Sequence, residues 1–369
     1  MCRALQDLGV EVTLATTNHG LPNLDHDVLD EAVQTTFEDV HTYFFRFAWG
    51  ESFKYSWAFA RWLNKNVSLF DLVHIHAVFN HACVAAARAC RRHQIPYIVR
   101  PLGSLEPWGM QQKWLRKWLF WRVCGELMCG RSAAIHYTGA REKEASEALL
   151  GLNHGKVVPL GIDEPLAMTQ TDTTQSVQKP GPYILTLSRL LPTKGIDVLL
   201  AAFLSVVAKP AFSNWSLVIA GDGPANYVTK LREMARGNQF GHSVVFTGWL
   251  DEQAKWSTVR QAALLALPSQ HENFGLCVIE ALACGVPVLV SPNVGLAEDV
   301  AANGVGWVVP VDRESVMNVL SEAFAHPQLL SRKGAAAKQL SRQFEWSVVG
   351  KQLETLYQSV LDHSDQSKV

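Results

Sequence analysis

The sequence predicts an α/β protein of two domains, and three observations indicate it. Short apolar runs alternate with helix-competent segments along most of the chain, which is the pattern of βαβ units. The length of 369 residues is too great for one ordinary domain and suits two. Residues 164–181 lack periodicity and are rich in Thr, Gln, Ser and Pro, so they are predicted to form the linker between the domains.

The composition is that of a globular protein with large cores, because 48% of the residues are hydrophobic and 18% are charged. A net charge of −1 argues against a general nucleic-acid binder. The seven cysteines are scattered and show no metal-ligand spacing, which indicates a reducing compartment and no metal site. Neither a long uncharged apolar run nor a signal-peptide pattern occurs, so we expect a cytoplasmic protein.

The N-terminal domain is predicted over residues 1–163. Its opening segment, residues 1–8, has the pattern of a helix end that Gly9 stops. Predicted strands follow at residues 10–17, 71–79, 96–103, 133–139 and 157–163, and a helix ending at His93 follows the second of them.

Three residues of this domain are candidates for binding a substrate. His76 lies near the end of one predicted strand, and Arg100 and Gly103 lie at the end of the next. In open α/β sheets, ligands bind at the carboxyl ends of the strands, which places these residues on the ligand side. A lone histidine there is also compatible with a purely structural role.

Two aromatic segments allow more than one interpretation. Residues 42–70 are predicted to form a helix packed by its Phe and Trp side chains, with contact to an acceptor or lipid as the alternative. Residues 108–123 carry four basic residues, and Trp114, Trp118 and Trp121 recur there at helical spacing. Such a helix can lie in an anionic membrane surface, or its aromatic stripe can be ordinary core with a solvated basic face.

The C-terminal domain is predicted over residues 182–343. It begins with a strand, loop and helix at 183–203, and Arg189 and Lys194 flank the loop. A strand with a glycine turn follows at 215–224. The third glycine of a dinucleotide-binding loop is missing there, so an NAD-dependent oxidoreductase is disfavoured.

Two further features complete this domain. A strand ends near residues 247–250, where Gly248 and Trp249 are candidates for a nucleotide-base pocket. The tail, residues 344–369, has apolar residues at helical spacing and is predicted to form a helix.

The chain is organised around residues 268–290, which read strand, acidic loop, helix, strand. Gly275 lies at the mouth of the predicted helix, and Glu272 and Glu280 have seven residues between them. A helix mouth offers N–H groups and a positive dipole end to a phosphate, and a carboxylate farther along can bind hydroxyls. Together these are the requirements of a nucleotide-sugar site.

The setting of these acids, HENFGLCVIEALACGVPV, resembles the signature of the retaining glycosyltransferases of family 4 (glycosyl transferases group 1). The resemblance implies a GT-B fold, in which two Rossmann-like domains face one another across a cleft. The donor then lies on the C-terminal domain and the acceptor on the N-terminal one, and the helix at 344–369 crosses back to the N-terminal domain. Relatives have a first strand and a glycine-rich loop before the point that corresponds to Met1, so we expect an incomplete N-terminal domain. The resemblance by itself does not decide whether this chain is active.

The resemblance also implies roles for individual residues. Arg189 and Lys194 match a cation pair that binds the donor diphosphate, Glu280 the acid that binds ribose hydroxyls, and Glu272 the acid that faces the sugar. The remaining donor-binding positions are Asn273, Phe274, Gly275, Leu276, Gly248 and Trp249. Many relatives carry a His-Gly pair where this chain has Leu102 and Gly103, so a histidine-based role in that loop is in doubt.

The expected reaction is transfer of a hexosyl group, with retention and without a metal, from a UDP-, GDP- or ADP-sugar to a saccharide or lipid-linked acceptor. Exopolysaccharide or cell-surface glycan synthesis is the process that relatives suggest, with peripheral membrane contact through residues 108–123. Two alternatives share the donor site: a GT-B nucleotide-sugar epimerase, and an inactive, truncated nucleotide-binding relative. No cofactor and no nucleic acid are expected.

Overall fold

A computed structural model of the chain describes residues 1–18, 33–47, 53–163 and 181–366. The linker predicted at 164–181 lies outside these residues except for its last position. The chain divides into two compact units. One is Met1–Gly161 together with Trp346–Val369, and the other is Ile162–Glu345.

The N-terminal unit alternates strands and helices. Its elements before the C-terminal helix are α1 (Cys2–Gln6), β1 (Thr13–Thr17), β2 (Val33–Phe37), β3 (Val40–Phe45), α2 (Trp57–Asn66), β4 (Val73–His76), α3 (His81–His93), β5 (Tyr97–Arg100), α4 (Pro107–Gln111), α5 (Trp114–Phe120), a π-helical stretch (Trp121–Gly125), α6 (Glu126–Gly130), β6 (Ala134–Tyr137), α7 (Ala140–Leu150) and β7 (Gly155–Val157). A parallel sheet has the strand order β4-β5-β6-β7, and β1, β3 and β2 form a separate mixed sheet.

Strand β5 illustrates why a run of apolar residues predicted a strand of this sheet. All four of its residues are buried, as expected for a parallel strand with neighbours on both sides. Helix α3 begins after Asn80, whose side chain accepts a hydrogen bond from the Cys83 N–H at 3.0 Å, and it ends at His93 as predicted. Gln94 then adopts a left-handed conformation, with φ of 58°, that closes the helix.

The prediction of one aromatic helix over residues 42–70 is wrong. The segment begins as strand β3, and the helix starts only at Trp57. The ring of Phe45 on the strand meets that of Phe59 on the helix edge to face, 5.3 Å between centroids, and both are buried. Aromatic side chains therefore join two different elements here, which a count of apolar residues cannot reveal.

The C-terminal unit is a doubly wound α/β unit. Its elements are β8 (Tyr183–Leu187), α8 (Ile196–Val207), β9 (Ser216–Ala220), α9 (Ala225–Arg236), β10 (Val244–Gly248), α10 (Glu252–Gln261), β11 (Leu264–Leu267), α11 (Leu276–Ala283), β12 (Val288–Val290), α12 (Ala297–Ala302), β13 (Gly306–Val308), α13 (Arg313–Ala325) and α14 (Pro327–Ser341). The strands are parallel, in the order β10-β9-β8-β11-β12-β13. The strand order therefore reverses between β8 and β11, which is where such sheets bind ligands.

The C-terminal helix, α15 (Trp346–Gln366), belongs to the N-terminal unit. Its apolar face, Val349, Leu353, Leu356 and Val360, is buried together with Leu5 and Ile98. The i, i+4, i+7 and i+11 spacing of these four residues is the helical pattern on which the prediction for the tail rested.

Candidate functional site

The loops that follow β8 and β11 form one layer at the carboxyl edge of the six-stranded sheet. The N–H of Gln270, after β11, donates to the carbonyl of Thr193, after β8, at 2.8 Å. Gly195 lies so close to Pro268 that a Cβ atom there would be 2.2 Å from the Pro268 carbonyl oxygen. A glycine is therefore required for the two loops to approach, and the approach brings their charged residues together.

Lys194 and Glu272 are the first pair that this layer unites. The Lys194 ammonium group donates to Oε2 of Glu272, and the two side chains are 11% and 24% exposed. The loop around Glu272 is held by main-chain bonds, because its N–H donates to Asn293 at 3.0 Å and its carbonyl accepts from Gly295 at 2.9 Å. The carboxylate is thus presented by a braced loop, next to a cation from the neighbouring strand.

Arg189 lies on the same loop as Lys194, directly after β8, and its side chain is exposed. Its carbonyl accepts from the Leu191 N–H at 2.9 Å, which turns the chain sharply between the strand and Lys194. Arg189 is therefore at the same sheet edge as Lys194, but the ion pairs described at this edge are made by two lysines instead.

The mouth of helix α11 follows Glu272. Gly275 has φ of +94°, a conformation that side chains disfavour, and a Cβ atom there would lie 3.2 Å from Val278 and 3.3 Å from Val294. Leu276, the first helical residue, is exposed, whereas Phe274 is buried against Phe344 at 6.0 Å between ring centroids. Of these predicted donor-binding residues, Phe274 therefore contributes its side chain to the core, and Leu276 lies at a solvent-facing helix start.

Glu280 lies in the second turn of α11 and pairs with Lys255, a residue that sequence reasoning missed. The Lys255 ammonium group donates to Glu280 Oε1 at 2.7 Å, with the side chains 26% and 15% exposed. The same ammonium group lies 4.9 Å from the centroid of the Trp256 ring. No spacing rule links Lys255 to Glu280, because the contact depends on how α10 packs beside α11.

Cys277 lies near both acids. Burial raises the pKa of its thiol, and the negative charges of Glu272 and Glu280 raise it further. The thiol is therefore protonated at neutral pH and is not a nucleophile. All seven cysteines of the chain are free.

Gly248 and Trp249 lie at the end of β10, two strands from β8 in the sheet order. Gly248 has φ of +70°, and its carbonyl accepts from the Gly221 N–H at 2.8 Å. Gly221 in turn touches the β8 loop, since a Cβ atom there would be 1.9 Å from the Ser188 carbonyl oxygen. The loops of three adjacent strands are thus in contact, and Trp249 stands at one end of them with 80% of its surface exposed.

In the N-terminal unit, His76 and Arg100 are direct partners in the pairing of β4 with β5. His76 is exposed and Arg100 is buried. The Gly103 N–H donates to the buried Glu142, which also accepts from the N–H and hydroxyl of Thr138 at 2.8 and 2.7 Å. Glu142, which the sequence did not single out, therefore holds the loop that contains Gly103.

Two other histidines form a chain of hydrogen bonds behind His76. Nε2 of His136 lies 2.8 Å from the Val158 carbonyl, so this nitrogen carries the proton, and Nδ1 accepts from His74 Nε2 at 3.2 Å. Nδ1 of His74 is then left to accept from the Tyr357 hydroxyl at 2.7 Å. Burial lowers the pKa of His136 to about 3, and both imidazoles are neutral. This series of hydrogen bonds connects helix α15 to the parallel sheet, so His74 and His136 have a structural role.

Two family models match the chain. "Glycosyl transferases group 1" matches residues 169–340, and "Glycosyl transferase 4-like domain" matches residues 1–161. A phosphatidyl-myo-inositol mannosyltransferase of Mycolicibacterium smegmatis is 31% identical over 206 residues, which is 55% of this chain and 51% of the relative. The chain spans about half the length of the curated relatives it matches.

Solved structures match over more of the chain. The complex of Anabaena HepE with UDP and glucose has a TM-score of 0.69 at 20% identity and covers 86% of both chains. The sucrose-phosphate synthase of Thermosynechococcus elongatus has a TM-score of 0.72 at 19% identity, over 98% of this chain and 92% of that one. These likenesses confirm the predicted fold, and the family matches confirm the motif-based assignment: the chain belongs to the glycosyltransferases of family 4, glycosyl transferases group 1, with the GT-B fold.

Proposed function

We propose that the protein is a retaining, metal-independent glycosyltransferase that moves a hexosyl group from a nucleotide sugar to a saccharide or lipid-linked acceptor. One observation carries the proposal. The pairs Lys194–Glu272 and Lys255–Glu280 flank the start of helix α11, beside the point where the strand order reverses. Cations, acids and a helix mouth are thereby combined on one edge of the sheet.

The charge of the leaving group explains the cations. A nucleoside diphosphate gathers negative charge as the bond to the sugar breaks, and fixed donors in a partly dry site stabilise that charge. We assign this role to Lys194, which is largely buried, and to Arg189, which is exposed on the same loop. The main-chain N–H groups of Gly275 and Leu276, at the positive end of the α11 dipole, add to it. Two cations at this point supply the counter-charge that a metal ion supplies elsewhere.

The two acids have different tasks in this proposal. Glu272 lies on the loop and faces the transferred sugar, while Glu280, held by Lys255, binds the ribose hydroxyls. The bond from Lys194 engages Oε2 of Glu272, so a bound donor would share this ion pair. We propose that the bond between the anomeric carbon and the diphosphate oxygen breaks while the acceptor hydroxyl oxygen bonds to that carbon from the same face. The departing nucleoside diphosphate takes the hydroxyl proton on the oxygen that left the sugar, and Glu272 forms no covalent bond to the sugar.

The base of the donor would lie near Gly248 and Trp249, and Asn273 would complete the donor site. UDP and UDP-glucose are present in the HepE structures, and one curated relative is a GDP-mannose-dependent mannosyltransferase. Uridine and guanosine donors therefore both belong in the test, and ADP is included because the family resemblance also allows an adenosine donor. For the acceptor we assign the exposed His76, with Arg100 and Gly103 shaping the loop beside it. We place the reaction in the cytoplasm, with peripheral membrane contact where the acceptor is lipid-linked.

A nucleotide panel tests the proposal. Thermal unfolding is followed with UDP, GDP and ADP and with the matching nucleoside alone, and a shift with one diphosphate but not with its nucleoside identifies the donor class. The variant Arg189→Ala should lose most of the shift without a change in the unliganded protein, because its side chain is exposed. Arg236→Ala, exposed at the end of α9, is the matched control.

In a second experiment, the protein is incubated with nucleotide sugars of the identified donor class, with and without saccharide acceptors. Sugar transfer or slow hydrolysis supports the proposal, while interconversion of the donor without acceptor would identify an epimerase. Nucleotide binding without any turnover would identify a binding protein. No thermal shift with any diphosphate would refute the site itself.

A further inference from the structure

A row of apolar side chains is exposed on the helical run from Trp114 to Gly130. Leu115, Leu119, Val123 and Leu127 are 65%, 68%, 61% and 48% exposed, and we call these four residues the leucine face. They recur every fourth residue. An α-helix alone would rotate such a row around its axis, but the run contains the wider π-helical turn at Trp121–Gly125, which partly offsets the rotation.

The opposite side of the run already supplies the core. Trp121, Met128 and Cys129 are buried, and a Cβ atom at Gly125 would lie 2.6 Å from the Trp121 ring. Trp118 packs partly against the same core. Of the tryptophan stripe, for which both a membrane surface and the core were predicted as alternatives, Trp121 is internal and Trp118 partly so, and the leucine face is apolar surface in addition to what folding needs. Contiguous exposed apolar surface of this kind marks an interaction site.

The charges beside the leucine face indicate its partner. Lys113, Arg116 and Arg122 are exposed, and from residue 113 to residue 130 the single acid is Glu126, whose carboxylate lies 3.9 Å from Arg122 in an exposed ion pair. Lys117 is turned inward and donates to the Gly109 carbonyl at 2.6 Å. A second copy of the chain docked here would bring like charges together, whereas an anionic lipid surface satisfies both the apolar row and the cations.

We propose that the leucine face docks the N-terminal unit on an anionic lipid bilayer, with the helical run lying in the plane of the interface. Leu115, Leu119, Val123 and Leu127 would enter the acyl boundary, and Arg116 and Arg122 would contact headgroup phosphates. Trp114, which is also exposed, suits the headgroup level. None of the helices in the described part of the chain is long and apolar enough to cross a membrane. The proposal does not depend on the chemistry of the C-terminal unit.

Co-sedimentation with vesicles tests it, using the full chain. One set of vesicles is made of phosphatidylglycerol and phosphatidylcholine in equal parts, and the other of phosphatidylcholine alone. We expect binding to the first set only, falling as salt is added. Leu115→Ser/Leu119→Ser should lower the partition coefficient about tenfold or more. Arg116→Gln and Arg122→Gln should each lower it about fivefold, the equivalent of ~1 kcal/mol per basic residue near the surface.

Leu69→Ser is the matched control, because Leu69 is 76% exposed in the same unit but lies outside the leucine face. It should bind like the wild type, and thermal unfolding should show all variants folded. Wild-type protein that stays in the supernatant with the anionic vesicles would overturn the proposal. Vesicle binding that is unchanged in Leu115→Ser/Leu119→Ser would also overturn the proposal. So would a wild-type protein that does not bind vesicles but forms a dimer without lipid, if Leu115→Ser/Leu119→Ser is a monomer.

Discussion

The ammonium group of Lys255 lies 2.7 Å from Oε1 of Glu280 and joins helix α10 to helix α11. The acid was expected from the motif, but its partner was not. Because both side chains are mostly buried, the ion pair fixes the direction of the carboxylate. Glu280 is therefore positioned before any donor arrives, and Lys255 becomes a residue on which donor binding should depend.

Replacing Lys255 by Met should raise the donor KM about tenfold and change kcat little, because a positioning contact on the ribose side acts equally in the bound and transition states. Steady-state kinetics with the donor identified by the nucleotide panel measures this. Lys209→Met, on an exposed lysine beyond the end of α8, is the control. An unchanged KM in Lys255→Met would show that the pair serves stability alone.

Removing Lys194 should affect the chemical step. We expect Lys194→Ala to lower kcat/KM at least about 100-fold, the size seen when one fixed donor to a developing negative charge is lost. The variant should also lower the free energy of unfolding by about 2 kcal/mol, because Glu272 is left partly buried without its cation.

The double variant Lys194→Met/Glu272→Gln separates the two effects of Lys194. It removes both charges, so it should recover much of the stability lost in Lys194→Ala while activity stays low. Recovery of activity along with stability would mean that Lys194 acts only through the fold. Denaturant unfolding and the transfer assay give the two readouts.

Gly275→Ala tests the mouth of α11. Its φ of +94° disfavours a side chain, and the new Cβ would be crowded by Val278 and Val294, so we expect about 2 kcal/mol of destabilisation and weaker nucleotide binding. Gly304→Ala is a matched control, because Gly304 also has a positive φ, of +62°, but nothing lies within 4 Å of the added atom. It should cost less stability and leave nucleotide affinity unchanged. Equal loss of affinity in both variants would contradict a local role for Gly275.

The hydrogen-bonded histidines His74 and His136 make the free energy of unfolding depend on pH. His136 has a pKa of about 3 in the folded protein, against an ordinary value of 6.5. Between these values the unfolded chain binds a proton that the folded chain does not, so stability is lost as pH falls from 6.5 towards 3, by ~1.4 kcal/mol per pH unit for this group. His74 and His76 act in the same direction, since desolvation lowers the pKa of His74 and lowers that of His76 to about 4.

His136→Gln should reduce the slope by the contribution of one histidine, ~1.4 kcal/mol per pH unit, because an amide can donate to Val158 and accept from His74 without titrating. The contributions of His74 and His76 should remain. Unfolding in denaturant across that pH range measures the slope. His41→Gln, on an exposed histidine of the same unit, should leave the slope at the wild-type value. Parallel slopes for wild type and His136→Gln would show that His136 does not contribute to the acid sensitivity.

Local pattern was sufficient for much of this protein. The alternation of apolar runs with helical segments predicted the α/β class, and the strand predicted at 96–103 appears as β5 (Tyr97–Arg100). The position of Gly275 directly before helix α11 and the placing of Glu272 on the loop before it follow from residue types and their spacing. Such features depend on residues that are close in the sequence, so they can be predicted from one sequence alone.

Tertiary packing decided the rest. Lys255 meets Glu280, and His74 meets Tyr357, only because elements distant in the chain are neighbours in space. The helical run at Trp114–Gly130 shows the same limit on one element. Its sequence has apolar residues on both sides, and periodicity cannot say which side is covered, because coverage depends on what the rest of the fold places there. Trp121 and Met128 are buried in the core, whereas Leu115 and Leu119 are exposed.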